Sequence, residues 1–227
     1  MVLDGPEGRH AATVRRMQVG EPIALSDGRG GRRLGVVAVV GRAELVLRCG
    51  PIERVPPPDL RFVVVQALAK GERGELAVEL LTELGADEIV PWAAGRSVVV
   101  WRGERGTKAL QRWRSTAREA GKQSRRPWLP PVRALATTEE VRARITAAAG
   151  AFVLHEDATT SLTAANLPTA GDVVLVVGPE GGVSDAELEL FLAAGAQAVR
   201  LGQPILRTST AGAAGVAALS VRTGRWN

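Results

Sequence analysis

The sequence predicts an α/β protein in two parts, a small β-rich segment followed by a larger domain built on a mostly parallel sheet. Three observations lead there. From Asp59 onward, short apolar runs alternate with amphipathic segments of helical period, the pattern of strands joined by covering helices. Before that point the apolar runs are brief, are broken by glycine turns, and include no long helical stretch. Between the two lies Pro56-Pro57-Pro58, which can continue neither a helix nor a central strand and therefore reads as a stiff linker. The domains are accordingly placed at residues 1–55 and 59–227.

In the first part, residues 21–25 read as a strand, and Ser26-Asp27-Gly28-Arg29-Gly30-Gly31 as a turn. Residues 34–40 and 45–49 are two further strands split at Gly41, and residues 10–17 suggest no more than a helical turn. A small barrel or curled sheet results. In the second part, residues 62–68 form a buried-strand candidate. Residues 72–84 form a helix with Leu76, Leu80 and Leu84 on one stripe, stopped by Gly85. Residues 88–92 are a short strand, and residues 107–122 a helix with Leu110, Trp113, Ala117 and Ala120 on one face. Then come a helix at 138–148, strands at 151–155 and 173–177, a helix at 184–194, a strand at 197–201 and a last helix at 208–222. Trp92, Trp101, Trp113 and Trp128 are expected in the core or at an interface.

The chain has 227 residues, 45% of them hydrophobic, enough for one ordinary domain and a small one. No apolar run approaches the roughly 18 residues that span a bilayer. The N-terminus, with Asp4, Glu7, Arg9, Arg15 and Arg16, lacks the apolar centre of a signal peptide. The single cysteine, Cys49, forms no internal disulfide, and with only His10 and His155 no metal site is expected. These features point to a cytoplasmic protein. The net charge is +5, and 26 of the 29 basic residues are arginine. Its planar fork donates two hydrogen bonds to one phosphate, so the balance favours a polyanionic partner such as nucleic acid.

Two glycine-containing loops carry the chemistry. One is Val177-Gly178-Pro179-Glu180-Gly181-Gly182-Val183-Ser184, the other Leu201-Gly202-Gln203-Pro204-Ile205-Leu206-Arg207. Each follows a strand and enters a helix, so both can face one pocket. Ser184 and Glu187 have the spacing of a capping box. Neither loop has the glycine spacing of a dinucleotide fold or a P-loop, and Glu180 would repel a phosphate. A ligand with positive charge, or with hydroxyls and amines, suits the pocket better. After the second loop, Thr208 to Gly215 is a helix start of hydroxyls and small residues that permits close backbone approach.

Taken together, Val177-Gly178-Pro179-Glu180-Gly181-Gly182-x-Ser184 and Leu201-Gly202-x-x-Ile205-Leu206-Arg207-x-x-Thr210-Ala211 resemble the RsmE-type ribosomal RNA methyltransferases of the SPOUT class. The resemblance continues through Thr82-Glu83-Leu84-Gly85-Ala86-x-x-Ile89-x-Pro91, Arg96-Ser97, Arg112-Trp113 and Glu119-Ala120-x-x-Gln123-Ser124-x-Arg126. At the front it includes Gly8-x-His10-x-x-x-Val14-x-Arg16 and Val19-Gly20-Glu21, so that it covers nearly the whole chain.

The resemblance implies a small N-terminal PUA-like β-barrel and a C-terminal α/β domain with a deep trefoil knot, working as a homodimer. It implies methylation of N3 of a uridine in the decoding region of 16S rRNA, free or within the small ribosomal subunit, with S-adenosylmethionine as methyl donor. On this sequence the cofactor pocket would use Leu154, Val177, Gly178, Pro179, Glu180, Gly181, Gly182, Leu201, Gly202, Ile205, Leu206, Arg207, Thr210 and Ala211. Arg207 is the candidate for stabilising charge on a uracil oxygen, and Glu180 and Glu156 are the candidate bases. RNA contact falls to Arg9, His10, Arg15 and Arg16 in the first domain, and to Arg112, Arg114, Arg118, Arg125 and Arg126 in the second. The sequence departs from the family in two places. Ser209 stands where the family has glutamate, and the chain opens at Met1-Val2-Leu3-Asp4, from which a barrel lacking its first strand, or with that strand supplied differently, is expected. Two other readings fit the loops, a SPOUT methyltransferase acting on a ribose 2′-oxygen or a tRNA base, and a non-catalytic ribosome-assembly factor. S-adenosylmethionine binding separates the latter from any enzyme.

Overall fold

The computed structural model describes residues 1–226, which divide into two compact units meeting at Pro57 and Pro58. In the first unit, strands β1 (Val2–Leu3), β2 (Pro22–Ser26), β3 (Gly31–Val40), β4 (Leu45–Cys49) and β5 (Glu53–Arg54) form an antiparallel sheet ordered β1-β4-β3-β2, with β5 on β3. Strand β3 begins at Gly31 and shifts register between Val37 and Val39, a bulge that bends it. Two residues of β1 hold the edge beside β4, so a short first strand is present. A short helix α1 (Gly5–Arg9) runs into a π-helical turn (His10–Val14), more helix than the sequence suggested. Ala11 of that turn packs with Val37, Leu45 and Leu47 in this unit's own core.

The second unit has five strands, β6 (Leu60–Ala67), β7 (Glu88–Trp92), β8 (Gly150–Leu154), β9 (Gly171–Val177) and β10 (Gln197–Val199). They pair in parallel throughout, in the order β10-β8-β9-β6-β7. Helices α2 (Arg73–Leu84), α3 (Gly103–Gln123), α4 (Thr138–Ala147), α5 (Asp185–Ala193) and α6 (Thr208–Arg222) connect and cover them. Because side chains alternate along a strand, each strand feeds two cores. Phe62, Val64, Val173, Leu175 and Phe152 point to the layer with Val78 and Leu81 of α2, Trp113 of α3, and Val216 and Leu219 of α6. Val63, Val65, Val174, Val176 and Val153 point to the opposite layer with Val141 and Ile145 of α4 and Phe191 of α5. Burial on both faces explains why these strands read as continuous apolar runs.

One helix face differs from expectation. Leu76 is exposed and Leu80 and Leu84 are half-buried, whereas Gly74, Ala77, Val78, Leu81 and Thr82 make the buried face of α2. The reason is that α2 lies against both α3 and α6, and small residues let the axes approach. A Cβ at Gly74 would lie 2.9 Å from the Trp113 ring, and one at Gly212 would lie 3.2 Å from Leu81. Helix α3 also begins at Gly103 rather than Thr107. Gly85, at φ +107°, stops α2 in the left-handed conformation as its position suggested.

Replacing Gly74 by Val should lower the unfolding free energy of the full chain by about 1–3 kcal/mol, because the new Cβ would stand 2.9 Å from the buried Trp113 ring and one of the two helices must shift. Chemical denaturation monitored by tryptophan fluorescence checks it; an unchanged midpoint would show that α2 and α3 tolerate wider spacing.

Candidate active site

Both glycine loops leave the carboxyl ends of strands. Residues 178–184 run from β9 into α5, and residues 200–207 run from β10 into α6. This is the end of a parallel sheet where ligand crevices form. In the first loop the Gly182 amide donates to the Pro179 carbonyl at 2.9 Å, closing a tight turn that sets Gly182 at φ +74°. A Cβ on Gly178 would come within 2.9 Å of Val183 Cγ2, and one on Gly181 within 3.2 Å of Arg96 Cβ. The turn and its neighbours thus both demand glycine.

The loop is then pinned by one buried carboxylate. Ser184 caps α5, and its hydroxyl donates to Glu187 at 2.6 Å while its amide donates at 3.1 Å. Glu187 also accepts from the Gly95 amide at 2.7 Å and from the Thr138 hydroxyl at 3.2 Å, which is in turn held by the Trp92 indole. Burial pushes this carboxyl upward, yet the hydrogen bonds from Ser184, Gly95 and Thr138 outweigh it and hold the pKa below the ordinary glutamate value. Arg96 closes the same corner by donating to the Val183 carbonyl at 3.3 Å.

Glu180 faces away from this corner. Its carboxylate accepts from the Lys70 amide at 3.0 Å and sits 3.6 Å from Arg73, tying the first loop to the turn between β6 and α2. In the second loop Leu201 is half-buried and Gly202 to Arg207 are exposed, Ile205 at 79%. The Arg207 carbonyl caps α6, accepting from the Thr210 and Ala211 amides at 2.9 Å each, and its guanidinium has no ion-pair partner among the described residues. Thr210 and Ala211 are half-buried on the first turn of α6, and Ser209 is buried beside them. Leu154 ends β8, half-buried against the core, with Val177 fully buried at the end of the adjacent β9. Glu156 is exposed on the segment after β8.

The two loops are joined by Thr208, which the sequence marks only as a hydroxyl at a helix start, and by Gln66, which it does not mark as a site residue. The Thr208 hydroxyl donates to the Gly178 carbonyl at 2.7 Å, and buried Gln66 donates to that hydroxyl at 3.0 Å. Gln66 was visible only as the one polar side chain in the apolar run 62–68. Glu187 was visible as half of a capping box, although its ties to Gly95 and Thr138 were not. A separate cavity of about 100 Å³ lies between the β6–α2 turn and α3, lined by Leu68, Gly71, Gly74, Glu75, Trp101 and Arg112, and it includes neither loop.

Among the arginines proposed to meet RNA, Arg9, Arg15 and Arg16 are exposed with His10 along α1 and its π-helical continuation. Arg112, Arg114, Arg118 and Arg125 are exposed on α3 and just beyond it, with Arg112 paired to Glu75 at 3.2 Å. Arg126 departs from the expectation. Its side chain is 13% exposed, and its guanidinium donates to the Thr82 and Ala86 carbonyls at 2.8 and 2.6 Å and faces Asp87 at 3.6 Å. Burial lowers its pKa, with Asp87 opposing the shift. Such a group locks the end of α2 to the chain after α3 and is not free to reach a phosphate.

The compact β-unit and the parallel sheet with paired glycine loops at its carboxyl end both match family models that give the class as an RNA methyltransferase. An RNA methyltransferase domain matches residues 56–220, and an RNA methyltransferase PUA domain matches residues 3–48. The chain belongs to the ribosomal RNA small subunit methyltransferase E family. It is 47% identical to the family member of Mycobacterium bovis, covering 100% of this chain and 88% of that one. It is 29% identical to that of Bacillus subtilis, covering 97% and 90%. The crystal structure of the Neisseria gonorrhoeae enzyme bound to S-adenosylmethionine superposes with a TM-score of 0.85 at 28% identity, covering 97% of this chain and 91% of that one. A Legionella pneumophila methyltransferase solved with bound cofactor gives the same TM-score, identity and coverage.

Because the Glu187 pKa is depressed in the fold, its contribution is complete above the ordinary glutamate value of 4.5 and is lost as pH falls through the lower folded value. Glu187→Gln should therefore cost about 1–3 kcal/mol at neutral pH and flatten the acid limb of stability against pH. Unfolding measured from pH 3 to 7 would contradict this if both proteins lost stability in parallel.

Proposed function

We propose that this chain is an S-adenosylmethionine-dependent methyltransferase that modifies N3 of a uridine in the decoding region of 16S rRNA. The observation that carries the reading is the pair of loops at the carboxyl ends of β9 and β10, bridged by Thr208. The residues present fit the cofactor. Gly182 sits in left-handed backbone with no atom within 4 Å of where a Cβ would stand, so backbone can approach a ligand there. Leu154, Leu201, Ile205 and Leu206 supply apolar surface for adenine, and the Gly178, Pro179, Gly181 and Gly182 backbone supplies polar groups. Thr210 and Ala211 form the small-residue floor at the start of α6.

When bound, S-adenosylmethionine supplies a methyl group on a positively charged sulfur. The protein's part is alignment of that methyl with N3, which alone accounts for much of the acceleration. Arg207, exposed and without an ion-pair partner among the described residues, stabilises negative charge developing on a uracil carbonyl oxygen. The N3 proton must leave as the N–C bond forms. Glu180 is committed to Lys70 and Arg73, which leaves exposed Glu156 as the carboxylate free to accept it.

The RNA is gripped by Arg9, His10, Arg15 and Arg16 in the first unit and by Arg112, Arg118 and Arg125 in the second, while the target base is turned out of the helix. The knot follows from the same reading. The chain passes β10 at the sheet edge, pairs Arg200 with Thr160 and Leu162, and returns to pack α6 against α2 and β9. A homodimer in the cytoplasm completes the proposal. Among the described residues no helix is long and apolar enough to cross a membrane.

Arg207→Ala should reduce the methylation rate about tenfold to a thousandfold with little change in cofactor affinity, as expected of a group that acts on developing charge. Single-turnover kinetics with small subunits and calorimetry with S-adenosylmethionine separate the two, and an unchanged rate removes Arg207 from the reaction. Mass spectrometry of 16S rRNA from a strain lacking the gene should show loss of one N3-methyluridine; its persistence would sink the assignment. Paired replacement of Arg15 and Arg16 by Ala should weaken RNA binding and lower the salt dependence by about two phosphate contacts, read from Kd against salt concentration.

A further inference from the structure

We infer that Gln66 and Thr208 are positioning residues that yoke the two loops, so that the cofactor meets a pocket already set to width. This rests on the proposed function and extends it to side chains that touch neither cofactor nor RNA. Gln66 sits near the carboxyl end of β6, in the interior of the sheet, and is 0% exposed. Thr208 is the first residue of α6, immediately after Arg207, and is 6% exposed. Its hydroxyl has one hydrogen, and this goes to the Gly178 carbonyl at 2.7 Å. The oxygen must therefore accept from its other neighbour, and Gln66 Nε2 donates to it at 3.0 Å. The same Nε2 lies 3.4 Å from the Thr208 carbonyl and 3.3 Å from that of Ala67. Two of the three oxygens facing this amide nitrogen are carbonyls, and the third, the Thr208 hydroxyl, already gives its hydrogen to Gly178, so a reversed amide would find no donor and the orientation is set.

Gln66 Oε1 is buried and has no hydrogen-bond partner among the described residues. A buried acceptor left unsatisfied is destabilising, and a leucine or methionine would fill the same space without that cost. Gly212 keeps the room open, since a Cβ there would stand 3.4 Å from this oxygen and 3.1 Å from Val177. What the amide supplies in return is the one donor that directs the Thr208 hydroxyl to Gly178. The relay joins the entry of the first loop to the exit of the second through the body of the sheet. Moving either loop alone breaks it.

The test is calorimetry of S-adenosylmethionine with the full-length wild-type protein and its Thr208→Val, Thr208→Ser, Gln66→Leu and Thr208→Val/Gln66→Leu variants, with circular dichroism as the check on folding. Val keeps the shape and removes the hydroxyl, while Ser keeps the hydroxyl. Expected is a Kd raised about tenfold in Thr208→Val and in Gln66→Leu, near wild-type in Thr208→Ser, and no further raised in the double variant. Wild-type Kd in Thr208→Val, or losses that multiply in the double variant, overturns the yoke. If Thr208→Val does not fold, Gln66→Leu against wild type carries the same decision. Absence of binding by the wild-type protein is a different result, because it removes the proposed function and not merely this coupling.

Discussion

Every feature of the candidate site depends on one constraint, that all five strands of the larger unit run the same way. Parallel strands cannot be joined by short turns, so each connection must cross the sheet and both faces become covered. Covering both faces makes the strands apolar throughout and forces the loops that matter to one end. The β9 and β10 loops are neighbours for that reason, although nineteen-odd residues of helix and turn (~19) lie between their strands. The same constraint crowds α2 between α3 and α6, which turns Gly74 and Gly212 from helix weaknesses into requirements of packing.

Within that frame, buried polar groups do the positioning. Glu187 gathers the cap of α5, the Gly95 amide and the start of α4 on one face of the sheet. Gln66 and Thr208 join the loops across its interior. At the opposite end of the strands Glu88 receives Arg133 and Arg144 at 2.6 and 2.8 Å, with Arg61 at 3.4 Å. Burial opposes that carboxylate, but the guanidiniums hold its pKa below the ordinary value. Asp87 likewise anchors Arg126 and Arg225, the latter also lying 4.1 Å over the Phe62 ring. Arg61, Arg126, Arg133, Arg144 and Arg225 are thus spent on buried carboxylates and secure the fold.

Much of this was legible in the sequence because it is encoded locally. The apolar runs at 62–68 and 173–177, the stop at Gly85 and the Ser184–Glu187 box each follow from a handful of adjacent residues. Strand edges moved by a residue or two, as with β6 at Leu60–Ala67, since pairing with neighbours and not propensity decides where a strand ends. The stripe on α2 was misread for a physical reason. Leucine spacing marks the buried face when a helix lies on one partner, but between two close partners the smallest residues go inward.

The sequence by itself determined the order of elements, the division near the prolines, the glycine loops and the family to which their motifs belong. These are properties of short windows, set by backbone freedom, side-chain volume and the period of each element. Only the tertiary structure decided which charges are spent. It set Glu180 on Lys70 and Arg73, buried Arg126 among carbonyls, and left Arg207 exposed. It also brought Gln66 to Thr208 across 142 residues of chain. Hydrogen bonds and ion pairs act over a few ångströms, and distances of that kind exist only after the sheet has closed on its helices.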